Sequence, residues 1–157
     1  LSYGMSSLLF KVFRENNGLT YDSGVYYPAR KLNAPFLLHL SVSEKNASLA
    51  LNLLVSIWKD LVTKKIDNNE LSLAKLKLKR SFLHSYRTLE EITFRKVRLI
   101  SLGMDPFYDE KAHKLIDLVN SDQILNISKK YLKYPSISIL GSKKACKDLK
   151  EIWDRSF

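Results

Sequence analysis

The hydrophobic positions of this chain change period several times, and each change marks an element. In Ser6 to Glu15, Leu9, Val12 and Phe13 recur at three- and four-residue steps, which predicts a short amphipathic helix. Asn17-Gly18 supplies its left-handed stop, and Leu19 follows where a hydrophobic contact closes such a turn. The period then shortens to two. Tyr21 to Tyr27 is rich in strand formers, and Phe36 to Val42 alternates Phe36, Leu38, Leu40 and Val42 with Leu37, His39 and Ser41. Pro28 to Pro35 connects these strands, which are close enough in sequence to pair antiparallel.

After Ser43 the helical period returns, and Ala47, Ala50, Leu51, Leu54, Ile57, Trp58 and Leu61 form one stripe on a helix to about Val62. Asp67 or Asn68 can cap a helix through Arg87, with Leu71, Ala74, Leu78 and Phe82 expected to face inward. Leu89 to Leu102 continues helical until Gly103 and Pro106 break it, and a short helix spans Asp109 to Leu118. Ser121 is the expected cap of Gln123 to Leu132. Pro135 stops that helix, Ser136 to Leu140 alternates as a third strand, and a helix from about Lys144 to Arg155 closes the chain. Strands first, helices in the middle and a late strand predict an α+β fold, a small antiparallel sheet covered by helices.

The length, 157 residues, suits a single domain over 1–157. With 45% hydrophobic and 27% charged residues, and only 5 Gly and 4 Pro, the composition is globular and excludes disordered and collagen-like classes. No apolar run approaches the ~20 residues needed to cross a bilayer, so no membrane partner is expected. The single cysteine, Cys146, excludes an intramolecular disulfide and a cysteine-based zinc cluster. A cytoplasmic or organellar setting is therefore expected over a secreted one.

Charge changes the picture more. Lys and Arg number 26 against 16 Asp and Glu, a net +10. Residues 61 to 100 hold ten basic and four acidic side chains, so this stretch supplies +6 of that surplus. Lys77, Arg80, His84 and Arg87 fall on one stripe of the predicted helix. A solvated helix face accounts for the stripe. No zinc-finger spacing, aromatic RNP pattern or arginine-rich arm accompanies it, so a nucleic-acid-binding module is the weakest of the functional readings.

Intrinsic catalysis finds little support in the usual clusters. The three histidines, His39, His84 and His113, include no i, i+4 pair of the kind a helical zinc site needs, so no metal ligand is assigned in this chain. His39 reads as a structural histidine on a strand, and Cys146 as an inert buried thiol. No nucleophile elbow, P-loop or dinucleotide fingerprint is present.

One stretch is more informative, Gly4-Met5-Ser6-Ser7-Leu8-Leu9-Phe10 followed by Val12-Phe13-Arg14-Glu15-Asn16-Asn17-Gly18-Leu19-Thr20-Tyr21. It resembles the C-terminal homologous half of the pitrilysin/insulinase-type zinc peptidases, the inverted-motif group that includes processing peptidases. There, G-x-x-S-x-L-F precedes V-R-E-x-x-G-L-x-Y. Asn69-Glu70-Leu71 with Ala74-Lys75 resembles the family's E-L-x-x-A-K helix start. Asp117 to Ile124, Lys130-Tyr131-Leu132 and Ile139-Leu140-Gly141 are similar to its later motifs, in collinear order to residue 141. The chain departs from the pattern at Leu8, where arginine is common, and at Phe13, which sets an added aromatic before Arg14. The family's domain also begins several dozen residues earlier, with a strand and a helix, so a longer protein is expected.

The resemblance implies half of a metallopeptidase clamshell, with zinc and the H-x-x-E-H motif in a partner half of the same or another chain and an unfolded peptide as substrate. It implies no cofactor in this half and assigns Arg14 and Tyr21, seven positions apart, to the active site. Both side chains can converge on one point, because Arg14 ends a helix, Gly18 reverses the chain and Tyr21 opens a strand. A guanidinium and a phenol can there donate to a peptide carbonyl and its developing oxyanion. The plain structural alternative is a helix-end arginine paired with Glu15 or solvent, and a tyrosine in the sheet core. A catalytically inert scaffolding member of the family is the second functional reading.

Overall fold

In the computed structural model, which describes residues 7–84 and 86–157, the first helical segment winds wider than its three- and four-residue spacing suggests. Phe10–Glu15 is a π-helix. Asn16 N–H donates to Lys11 O at 2.9 Å, and Asn17 Nδ2 donates to Val12 O at 2.7 Å, so a side chain serves a carbonyl that the widened turn leaves free. At the other end Ser7 Oγ accepts from Phe10 N–H at 3.3 Å. Gly18, at φ 58°, reverses the chain in the left-handed region. Its N–H donates to Arg14 O at 3.0 Å, and Leu19 N–H donates to Phe13 O at 2.7 Å. Ser6, where this helix was expected to start, and the preceding Gly4-Met5 lie outside the described residues.

The chain groups into two compact units, one drawn from Leu1–Tyr27, Pro35–Lys64 and Ile127–Phe157, the other from Pro28–Ala34 and Lys65–Asn126. In the first, β1 (Asp22–Tyr26) pairs antiparallel with β2 (Leu37–Ser41), Gly24 opposite His39 and Val25 opposite Leu38. The expected pairing and alternation both hold. Val25, Leu38 and Leu40 turn toward a core of Leu9, Phe13, Leu19, Ala50 and Ile57, while Leu37, His39 and Ser41 face outward. Leu19 closes its turn by joining that core.

A 3-10 turn, Glu44–Asn46, leads into α1 (Ala47–Thr63), which buries Ala50, Leu51, Val55 and Ile57. α6 (Lys143–Ser156) packs on α1. Ser142 Oγ caps α6 by accepting from Ala145 N–H at 3.1 Å and donates to Glu44 Oε1 at 2.8 Å. Trp58 Nε1 donates to Leu132 O at 2.8 Å. The third strand does not form. Ser136 to Leu140 keeps the alternation, with Ile137 and Ile139 half-buried, but joins no ladder among the described residues. Alternation gives a segment two faces; only a neighbouring backbone makes it a strand.

The second unit is helical: α2 (Asn68–His84), α3 (Leu89–Ser101), α4 (Tyr108–Leu118) and the first half of α5 (Ser121–Tyr131). Asp67 Oδ1 caps α2 through Asn69 N–H at 2.8 Å, as expected. Thr88 and Glu91 form a reciprocal capping box on α3. Asn120, rather than Ser121, caps α5: its Oδ1 accepts from Gln123 N–H and its N–H donates to Gln123 Oε1, both at 2.9 Å. Leu71 is buried, but Ala74 and Leu78 are exposed, against expectation. Lys79 forms an ion pair with Asp117 Oδ1 at 2.5 Å and Lys75 Nζ donates to Asp117 O at 2.9 Å, so both lysines of α2 reach the end of α4.

Candidate functional site

The junction between the π-helix and β1 sets the two predicted residues side by side. Phe13, at 0% exposure, anchors the helix in the core, and Arg14, the next residue, turns to the surface. Thr20 is buried; its hydroxyl accepts from Asp22 N–H at 2.9 Å and donates to Ser41 O, which fastens the start of β1 to the end of β2. Beside the buried Thr20, Tyr21 stands 89% exposed. Its ring centroid is 4.9 Å from Arg14 Cζ, and the Phe10 ring centroid is 5.0 Å from the same atom.

Neither side chain donates a hydrogen bond to another described residue, and Arg14 forms no ion pair with Glu15 or any other described carboxylate. Arg14 thus faces solvent, as the plain structural alternative allows, whereas Tyr21 is exposed and not in the sheet core, against it. Among the described residues, the five guanidinium donors of Arg14 and the phenolic donor of Tyr21 have no hydrogen-bond partner, and both side chains are exposed. The added aromatic beside the pair is also corrected. Phe13 belongs to the core, and the ring that touches Arg14 is that of Phe10. The i, i+4 spacing of Phe10 and Arg14 is the sequence signal that could have found it.

The other candidate residues disperse. The His39 ring lies across Gly24, with Nε2 at 3.6 Å from Asp22 Oδ1. His113 packs against Phe82 at 5.7 Å between ring centroids, and Cys146 is half-buried with Sγ at 4.0 Å from Ile139 O. The His84 side chain lies outside the described residues, and α2 ends at His84, so Arg87 does not continue the basic stripe. Among the described residues no group of three or more His, Cys, Asp or Glu side chains could hold a metal ion, so they do not fit a zinc site. Among them, too, no helix is long and apolar enough to cross a membrane.

A second polar cluster went unnoticed in the sequence because its members come from two helices and the turn before α3. Asp109, on α4, is 4% exposed and accepts from Arg95 Nε at 2.6 Å, from Arg95 Nη2 at 2.8 Å, and from the Tyr86 hydroxyl. The Arg95 guanidinium holds the Asp109 carboxyl below the usual carboxylate range, and burial pushes the Tyr86 phenol up. A pocket of about 280 Å³ opens here, with Tyr86 and Asp109 in its lining beside Phe82, Pro106 and Phe107. Every oxygen of Asp109 is committed to Arg95 or Tyr86, which makes the cluster a brace between α3 and α4.

Residues 1–78, the stretch containing the Arg14 and Tyr21 junction, match the family model described as the peptidase M16 inactive domain. The chain belongs to the M16 peptidase family. It is a domain of the C-terminal, pitrilysin/insulinase type, and M16 domains of that type are normally paired with an N-terminal half. No curated protein matches the chain. The M16 match covers the π-helix, the two-stranded sheet, α1 and most of α2, so the elements that position Arg14 and Tyr21 all lie within it.

Proposed function

We propose that this M16 domain is the zinc-free half of a metalloendopeptidase and that Arg14 and Tyr21 bind the scissile carbonyl of an unfolded peptide. The supporting observation is their juxtaposition, a 4.9 Å approach of guanidinium to ring between two exposed side chains whose donors have no hydrogen-bond partner among the described residues. Zinc and the H-x-x-E-H motif are assigned to the partner half, and the chemistry assigned to this chain is binding and orientation. As the carbonyl carbon is attacked, its oxygen gains negative charge, and fixed donors aimed at that position stabilise the transition state more than the ground state. Removing one such donor costs about 10²–10³-fold in kcat. The outer edge of β2 has no ladder partner among the described residues and offers an extended peptide a strand to pair with.

The test is made on the full protein joined with its H-x-x-E-H half. Arg14→Ala and Tyr21→Phe are each expected to lower kcat by about 10²-fold at unchanged metal content. Wild-type turnover in both variants overturns the assignment.

A further inference from the structure

We propose that Phe10 is a positioning residue for Arg14, holding the guanidinium in place without consuming its hydrogen-bond donors. The proposal rests on the reading of Arg14 and Tyr21 as carbonyl-binding groups. Arginines at protein surfaces are usually steadied by carboxylates, and a carboxylate occupies the same N–H groups that a substrate carbonyl would need. Here no described carboxylate pairs with Arg14. Two rings do the holding instead, Phe10 at 5.0 Å and Tyr21 at 4.9 Å from Cζ.

The attraction of a cation to an aromatic face acts through the ring quadrupole and uses no hydrogen bond. A guanidinium carries five N–H groups, and a contact made through a ring quadrupole takes none of them as a hydrogen bond. The two rings come from different elements. Phe10 opens the π-helix and Tyr21 follows the Gly18 reversal, so the cation is fixed against both sides of the junction. The helix is fixed in turn by Phe13 in the core and by Asn17 Nδ2 on Val12 O. Phe10 has no polar atom with which to touch a substrate carbonyl; its effect passes through Arg14.

Kinetics and NMR on the full protein with its H-x-x-E-H half test this. Phe10→Leu is expected to lower kcat about five- to tenfold with KM within about twofold, and Phe10→Tyr to restore it, because Tyr returns the ring face. In an Arg14→Ala background, Phe10→Leu is expected to add no further loss. With ¹⁵N-labelled arginine, the upfield ring-current shift of the Arg14 side-chain protons is expected to shrink in Phe10→Leu and to persist in Phe10→Tyr. Wild-type kcat in Phe10→Leu while Arg14→Ala is impaired overturns the proposal. So does an equal loss from Phe10→Leu with and without Arg14, which is the mark of a merely structural role. Wild-type kcat in Arg14→Ala overturns the carbonyl-binding reading itself and the proposal with it.

Discussion

Arg95 grips Asp109 at two points, Nε on Oδ2 at 2.6 Å and Nη2 on Oδ1 at 2.8 Å, and joins the α3 and α4 helices through a carboxylate almost wholly removed from water. Breaking a buried pair by deleting one partner leaves an uncompensated charge, which costs about 3–5 kcal/mol, whereas replacing both partners by apolar groups recovers much of the loss. Arg95→Met is accordingly expected to destabilise the protein by about 3 kcal/mol. The double variant Arg95→Met/Asp109→Leu is expected to be more stable than Arg95→Met alone. Chemical denaturation of the three proteins checks the order.

The same carboxylate gives stability a pH dependence of known sign. Arg95 holds the Asp109 carboxyl below its ordinary value, so the folded state binds a proton less readily than the unfolded chain. The stabilisation is complete above the unfolded carboxylate value of about 3.9 and disappears as the pH falls through the lower folded one. Lys79 beside Asp117 and Lys111 beside Asp105 lower those carboxyls in the same direction at exposed sites, where screening leaves little effect. Between pH 5 and acid, wild type is expected to lose more stability than Asp109→Asn. Urea midpoints across that window decide it; parallel curves would contradict the assignment.

Gly24 and His39 face each other across the β1–β2 ladder, and the imidazole occupies the space a side chain at Gly24 would need. A Cβ there would stand 2.6 Å from His39 Cε1. Gly24→Ala is expected to cost about 1–2 kcal/mol through displacement of the ring. In a His39→Ala background the same substitution is expected to cost little, because the obstructing atoms are gone. A double-mutant cycle measured by thermal unfolding reads the coupling directly.

Period and cap chemistry carried much of this fold. Alternation at Phe36 to Val42 identified the face of β2, and Asn17-Gly18-Leu19 identified the reversal that sets Arg14 near Tyr21, because both signals are local. Ser136 to Leu140 misled for the complementary reason, since a ladder depends on a second backbone that the segment does not contain. The α2 stripe went wrong at Ala74 and Leu78 because hydrophobicity alone orients a helix weakly when lysines at 75 and 79 can reach one aspartate. At the site, Arg14 and Tyr21 were legible through their motif. Phe10 was quoted only within the family motif and given no role, since nothing in an apolar pattern separates a ring that fills space from one that faces a cation.

A sheet of two strands has no independent claim to permanence, for a hairpin alone in water is marginal. β1 and β2 persist because Val25, Leu38 and Leu40 share a core with Ala50 and Ile57 of α1, and because the Thr20 hydroxyl ties one strand to the carbonyl of the other. Protection of their amide protons against exchange is therefore borrowed from the helix beneath. When α1 lifts, the ladder opens with it, and the aromatic cradle around Arg14 comes apart in the same cooperative event.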